Sequence, residues 1–148
     1  MSFDFKNASP EELKAKYKEL AKKIGDDQFF TKKELNYLPE ILKEGEQVLG
    51  FVSGLMGGNT WLVTLTDNRL IFLDKGMLWG LKQDIVPLSK VQSVSCSTGI
   101  IFGEIKIAHG SKTYKIENVI KGTVKIFTNM IQEQIDSINA VDLLLDHI

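Results

Sequence analysis

The feature that most constrains this chain is an order of patterns. Short alternating strands fill Val48 to Glu117, and one amphipathic helix from about Thr123 to Ile135 follows them. Alternation at period two builds half-buried strands, and a stripe at spacings of three and four builds a helix with one apolar face. That order predicts a small curved antiparallel sheet closed by a single helix, an architecture that usually binds and rarely catalyses.

Individual segments fill in the picture. Ser9 can cap a first helix with Pro10 at its first position and Glu12 completing a capping box. Leu13, Tyr17, Leu20 and Ile24 then form its apolar stripe, and Gly25 ends it. Lys14, Lys16, Lys18, Lys22 and Lys23 surround that stripe. We read them as a solvated face, because Glu11, Glu12 and Glu19 dilute the charge that an anionic membrane would need. A second capping box, Thr31 and Glu34, starts another helix, which Pro39 is expected to interrupt. Thr60 to Thr66 places Trp61, Val63 and Leu65 on one face of a strand. Asp67 and Asn68 then read as a two-residue hairpin turn with positive backbone angles. With Val48 to Gly54 and Arg69 to Asp74, further strands are expected near Lys82 to Val86, Val91 to Cys96, Gly103 to Ala108 and Thr113 to Glu117, seven in all; the imperfect alternation of Val91 to Cys96 implies a bulge or a shifted boundary there. In the closing helix Val124, Phe127, Met130, Ile131 and Ile135 share one stripe. Ile138, Val141, Leu143, Leu144 and Leu145 carry more apolar content than a frayed tail, which predicts docking on this domain or a neighbour.

Composition bounds the function. A net charge of -1 supplies no global field toward nucleic acid or anionic lipid. The single cysteine, Cys96, allows no internal disulfide and suits a reducing compartment; in a strand it is expected to be buried and inert. No signal peptide or spanning segment is legible, so a cytoplasmic protein is expected. His109 and His147 lie far apart without metal-ligand spacing, and no nucleophile motif, Walker loop or dinucleotide loop is present. No catalytic residue, metal or cofactor is therefore assigned.

Three segments carry a resemblance: Leu65-Thr66-Asp67-Asn68-Arg69-Leu70-Ile71, Ile85-Val86-Pro87-Leu88-Ser89-Lys90-Val91 and Gly99-Ile100-Ile101-Phe102-Gly103. With the strand and helix order, they resemble the bacterial pleckstrin-homology (PH)-like domains of the YokE-like type over roughly residues 42–135. The resemblance implies an α+β fold: a PH-like barrel of two near-orthogonal antiparallel sheets, about seven strands, capped by a C-terminal helix. It implies no catalytic activity. The expected division is an N-terminal helical segment at 1–44, the PH-like domain at 45–136 and a short apolar, helical C-terminal tail at 137–148.

Phosphoinositide-binding PH domains place lysines and arginines around the first loop, since a polyphosphate needs several cations. Here that loop reads Ser53-Gly54-Leu55-Met56-Gly57-Gly58-Asn59 and has none, which argues against specific phosphoinositide binding. The resemblance instead brings Leu55, Met56, Met77, Leu78 and Trp79 to one barrel end, as an apolar rim beside the possible anion contacts Lys75, Lys82 and Lys112. An exposed rim of this kind marks an interaction surface; coverage by the N-terminal helices, or burial in strand extensions, would erase it. Gly99 to Gly103 echoes Gly76 to Gly80. An internal repeat would do this, but two sheet bends, each with glycine and a large filler, is the preferred reading. The expected function is a non-enzymatic interaction domain that binds protein, foremost copies of itself as a homo-oligomer. The alternative is a peripheral membrane module using Trp79, Leu78 and Leu55 with nearby lysines. A small-molecule hydrolase would need a concave polar site that the sequence does not advertise. No nucleic-acid partner is expected.

Overall fold

A computed structural model describes residues 2–25, 32–76 and 80–146, without the side chains of 32, 33, 75, 76, 80 and 81. Ser9 accepts from the Glu12 N–H, and the Glu12 carboxylate accepts from the Ser9 N–H at 3.1 Å, so the capping box opens α1 (Pro10–Ile24). Gly25, at φ 84°, ends it. Helix α2 (Lys32–Ile41) runs through Pro39, the residue expected to interrupt it. Pro39 lies in the last turn, where few carbonyls depend on a following N–H. Cations serve the free carbonyls there: Lys6 Nζ donates to the oxygens of Pro39 (3.3 Å) and Leu42 (2.7 Å), and Arg69 Nη2 to that of Ile41 (2.9 Å).

Seven strands follow: β1 (Val48–Met56), β2 (Asn59–Thr66), β3 (Arg69–Gly76), β4 (Gly80–Pro87), β5 (Ser93–Thr98), β6 (Phe102–His109) and β7 (Lys112–Ile120). They form one antiparallel sheet in the order β4-β3-β2-β1-β7-β6-β5, whose two halves meet where Leu55 opposes Glu117. Gly54 permits that meeting, because a Cβ there would press on the Ile116 side chain and stand 2.8 Å from the Glu117 carbonyl oxygen. At Val91 to Cys96 it is the boundary that differs, for β5 starts at Ser93 and pairs with β6 without a register shift. Glu104 faces both Glu117 and Asn118 of β7 between the pairs Gly103/Val119 and Ile105/Ile116, and Asn118 takes φ 55° to absorb the extra residue. A second irregularity sits at Leu49, between Val48 and Gly50.

The hairpin at Asp67 and Asn68 is present, but neither residue has a positive φ. The Thr66 hydroxyl sets the turn instead, accepting from the N–H groups of Asn68 (3.1 Å) and Arg69 (3.0 Å). The same hydroxyl donates to Glu46 Oε2 at 2.7 Å. Arg69 meets Glu46 bidentately, Nε to Oε2 and Nη2 to Oε1, both at 2.8 Å and both buried. This geometry gives the Thr66-to-Arg69 motif its physical content. It ties the end of α2 and the start of β1 to the β2–β3 turn.

Both faces of the first half-sheet are covered. On the concave face Val52, Val63, Leu65, Leu70 and Phe72 meet Ile105, Ile107 and Ile116. Helix α3 (Lys121–Asp146) closes this core through Val124, Phe127, Ile131 and Ile135. On the convex face Phe51, Leu62, Ile71 and Leu73 pack beneath Tyr17, Leu20 and Ala21 of α1 and Leu35 and Leu38 of α2. Thr64 and Thr66 share that face and are fully buried. Phe5, in a segment that the sequence pattern left unassigned, is buried there and joins Phe3, Tyr17 and Phe51 in a chain of ring contacts. Ile24 extends to the concave core. Helix α3 is longer than the pattern suggests: it continues unbroken from Ile135 to Asp146. No helix among the described residues is long and apolar enough to cross a membrane.

Phe127 is fully buried, so Phe127→Ala should destabilise the fold by about 3–5 kcal/mol in denaturant unfolding. Unchanged stability would contradict its placement. Burial alone would raise the Glu46 carboxyl, but hydrogen bonds from Arg69, the Lys43 N–H and Thr66, with the Arg69 charge, hold it below its ordinary 4.5. A depressed carboxylate contributes stability that is complete above its unfolded pKa and is lost as pH falls through the folded one. Glu46→Gln should therefore flatten the acid limb of the stability profile below about pH 4.5, measured by chemical denaturation at a series of pH values.

Candidate functional site

Alternation along β4 and β7 turns Asp84 and Tyr114 toward the barrel interior, for Asp84 opposes buried Phe72 and Tyr114 opposes buried Ile107. Their side chains meet across the barrel mouth, where the Tyr114 hydroxyl donates to Asp84 Oδ2. Lys112 Nζ reaches the same oxygen at 2.9 Å and lies 4.5 Å from the centre of the Tyr114 ring. The ring stacks on Phe72 with centroids 4.5 Å apart. Burial tends to raise the Asp84 carboxyl, but the hydrogen bonds from Tyr114 and Lys112 outweigh it and hold the group below its ordinary range. Burial and then Asp84 push the Tyr114 hydroxyl up, and hydrogen bonding to Asp84 pushes the Lys112 ammonium up. The cluster acts as a latch between β4 and β7, two strands that do not pair.

This arrangement engages Lys112, one of the three expected anion contacts. Lys82 is exposed opposite Asp74, and the Lys75 side chain lies outside the described residues. Of the expected rim, Met77, Leu78 and Trp79 also lie outside the described residues. Leu55 and Met56 are half-buried, and Met56 packs against the concave core. The helices α1 and α2 cover the convex face of β1 to β3.

The apolar surface that stands open is elsewhere. On the β5–β6 turn Ile100 is 92%, Ile101 67% and Phe102 48% exposed, so they are not the bend-filling side chains expected there. Glycine does serve the bend: a Cβ on Gly103 would stand 2.6 Å from the Ser97 carbonyl oxygen and 2.8 Å from Val124 Cγ2. The Ile101 carbonyl accepts from the Lys121 N–H at 3.2 Å, which places the turn against the start of α3 beside Lys121 and Lys125. Both lysines are exposed, as is Ile126. Val141, Leu143, Leu144 and Leu145 are exposed at the other end of α3. Cys96, expected to be buried, is exposed. It opposes buried Ile105, but β5 is the outermost strand, and among the described residues no further strand shields it.

The strand order, the helix closing the concave face and the Thr66-to-Arg69 turn are joined by a family match: a family model described as "Bacterial PH domain" matches residues 42–133. The chain belongs to the bacterial PH domain family. Among solved structures, this bacterial PH domain is similar to a pleckstrin homology domain from Shewanella amazonensis SB2B, at 19% identity and a TM-score of 0.46, covering 70% of this chain and 92% of that one. It is also similar to a DUF1696 family protein with a pleckstrin-homology domain from Shewanella loihica PV-4, at 17% identity and a TM-score of 0.48, covering 74% and 92%. No curated protein matches.

Removing the Asp84 charge while keeping its shape should lower the titration midpoint of Tyr114. Asp84→Asn followed by NMR of the Tyr114 ring across alkaline pH tests this, and an unmoved midpoint would show that the latch does not form in solution.

Proposed function

We propose that this bacterial PH domain is a non-catalytic interaction module whose partner is protein, foremost a second copy of itself. The observation that carries the reading is the run Ile100, Ile101 and Phe102, three consecutive large apolar side chains held in water by a glycine-bracketed turn. Exposing them costs hydration free energy at about 25 cal/mol per Å² of apolar area, which a partner recovers on covering them. The first loop contains no cation, and Lys112 already serves Asp84. These two facts support a domain that does not recognise inositol polyphosphates, in a protein proposed to work in the cytoplasm.

A membrane role has one observation in its favour. Lys121 and Lys125 flank the apolar turn, and neither has an ion-pair partner among the described residues. An inserting tip with flanking cations is the chemistry of a peripheral contact. The two readings separate in solution. Light scattering of the intact protein across the micromolar range should show association that weakens when Ile100→Glu and Ile101→Glu are combined, with the melting temperature unchanged. Monomer at every concentration, together with sedimentation on vesicles containing phosphatidylserine, would replace self-association with the membrane reading.

A further inference from the structure

A sheet edge is a row of unpaired N–H and C=O groups, and proteins guard it with charge, proline or bulges. The two edges of this sheet differ in that respect. Strand β4 carries Lys82, Asp84 and Pro87, all of which discourage pairing. Strand β5 reads Ser-Val-Ser-Cys-Ser-Thr, and from Gln92 to Gly103 the chain has no charged residue and no proline. Its partner on one side is β6, and among the described residues it has none on the other.

The register tells which groups are free. The Gly99 N–H donates to the Phe102 carbonyl at 2.8 Å, continuing the ladder in which Cys96 opposes Ile105. Hydrogen-bonded and non-bonded pairs alternate in an antiparallel ladder. Ser97, Ser95 and Ser93 therefore bond to β6, like Gly99. Val94, Cys96 and Thr98 aim their N–H and C=O groups at the open edge.

We propose that β5 pairs antiparallel with β5 of a second copy about a two-fold axis at Cys96, joining two seven-stranded sheets into one. This rests on the self-association reading above and gives it a surface. Centring on Cys96 satisfies every outward group: Val94 meets Thr98 of the second copy, and Cys96 meets its own counterpart. A displaced register leaves some of these groups unpaired. The absence of charge suits self-pairing, because nothing in the strand repels its own copy. The same register carries Ile100 and Ile101 past the end of the pairing, toward Val91 and Gln92 of the second copy. The edge and the apolar turn thus ask for one occupant.

Cys96 is the only cysteine, so any thiol crosslink reports its approach to its counterpart. Opposed residues of a hydrogen-bonded pair have Cα atoms about 5.5 Å apart, within the range that a disulfide spans. The intact 148-residue chain treated with copper-phenanthroline should give a covalent dimer, and no larger species, on a non-reducing gel. Cys96→Pro removes an N–H that points away from β6, so the fold should survive while the dimer is lost by light scattering; Cys96→Ser should keep it. If the proline variant melts early, Ser95→Glu combined with Ser97→Glu sets acidic side chains opposite one another across the axis and should give monomer. Association that persists in both variants, or in wild type without a covalent dimer, overturns strand pairing but leaves self-association standing. Rings larger than a dimer likewise exclude the two-fold arrangement. Monomer throughout overturns both.

Discussion

The buried pair between Arg69 and Glu46 is the constraint on which the rest of the structure depends. Two charges out of water are costly, and the cost is offset here because each Glu46 oxygen accepts two hydrogen bonds, from Arg69 and from the Thr66 hydroxyl or the Lys43 N–H, while Arg69 also donates to the Ile41 carbonyl. These contacts join parts of the chain that no local preference would bring together. With the end of α2 fixed to the β2–β3 turn, the helices lie over the convex face, and Phe51, Leu62 and Ile71 are buried on that side while Val52, Val63 and Phe72 are buried on the other.

Covering both faces of one half-sheet leaves the other half open. The convex side of β5 to β7 carries alternating polar residues, with Lys106, Lys115 and Glu117 held in loose surface pairs about Glu104 and Lys115. Such pairs contribute little to stability. The mouth between β4 and β7 is held by the Asp84 latch, and the concave side is closed by α3. Among the described residues, the uncharged β5 edge, its apolar turn and the end of α3 stand exposed. This surface lies on and beside α3, whereas α1 and α2 cover the convex face of β1 to β3.

Local rules made much of this fold legible. The capping box at Ser9, the alternation of β2 and the stripe of Val124, Phe127 and Ile131 each depend on neighbours within a few residues, and each is present. The family motifs were legible too, and the family match agrees with them. The misses share a cause, which is reading a segment without knowing what lies across from it. Thr64 and Thr66 look like a solvent face until two helices cover them. Pro39 looks like a stop, but Lys6 and Arg69 serve the carbonyls of its turn. Cys96 looks like core in an alternating strand, yet its strand ends the sheet; Phe102 looks like the filler of a bend, yet it starts β6 and is half exposed. An aspartate on β4 and a lysine and a tyrosine on β7 give no local signal of a latch. The uncharged run from Gln92 to Gly103 was the available pointer to the open edge, and it is visible only when absence of charge is read as a feature.

We propose β5 as the edge through which this domain meets a second copy. Amide hydrogen exchange measured against protein concentration tests it residue by residue. Exchange at Val94, Cys96 and Thr98 should be fast at high dilution and slow as concentration rises, while Ser95 and Ser97, bonded to β6, stay protected throughout and the β4 amides do not respond. Protection at Val94, Cys96 and Thr98 that is independent of concentration, or a response confined to β4, would contradict it.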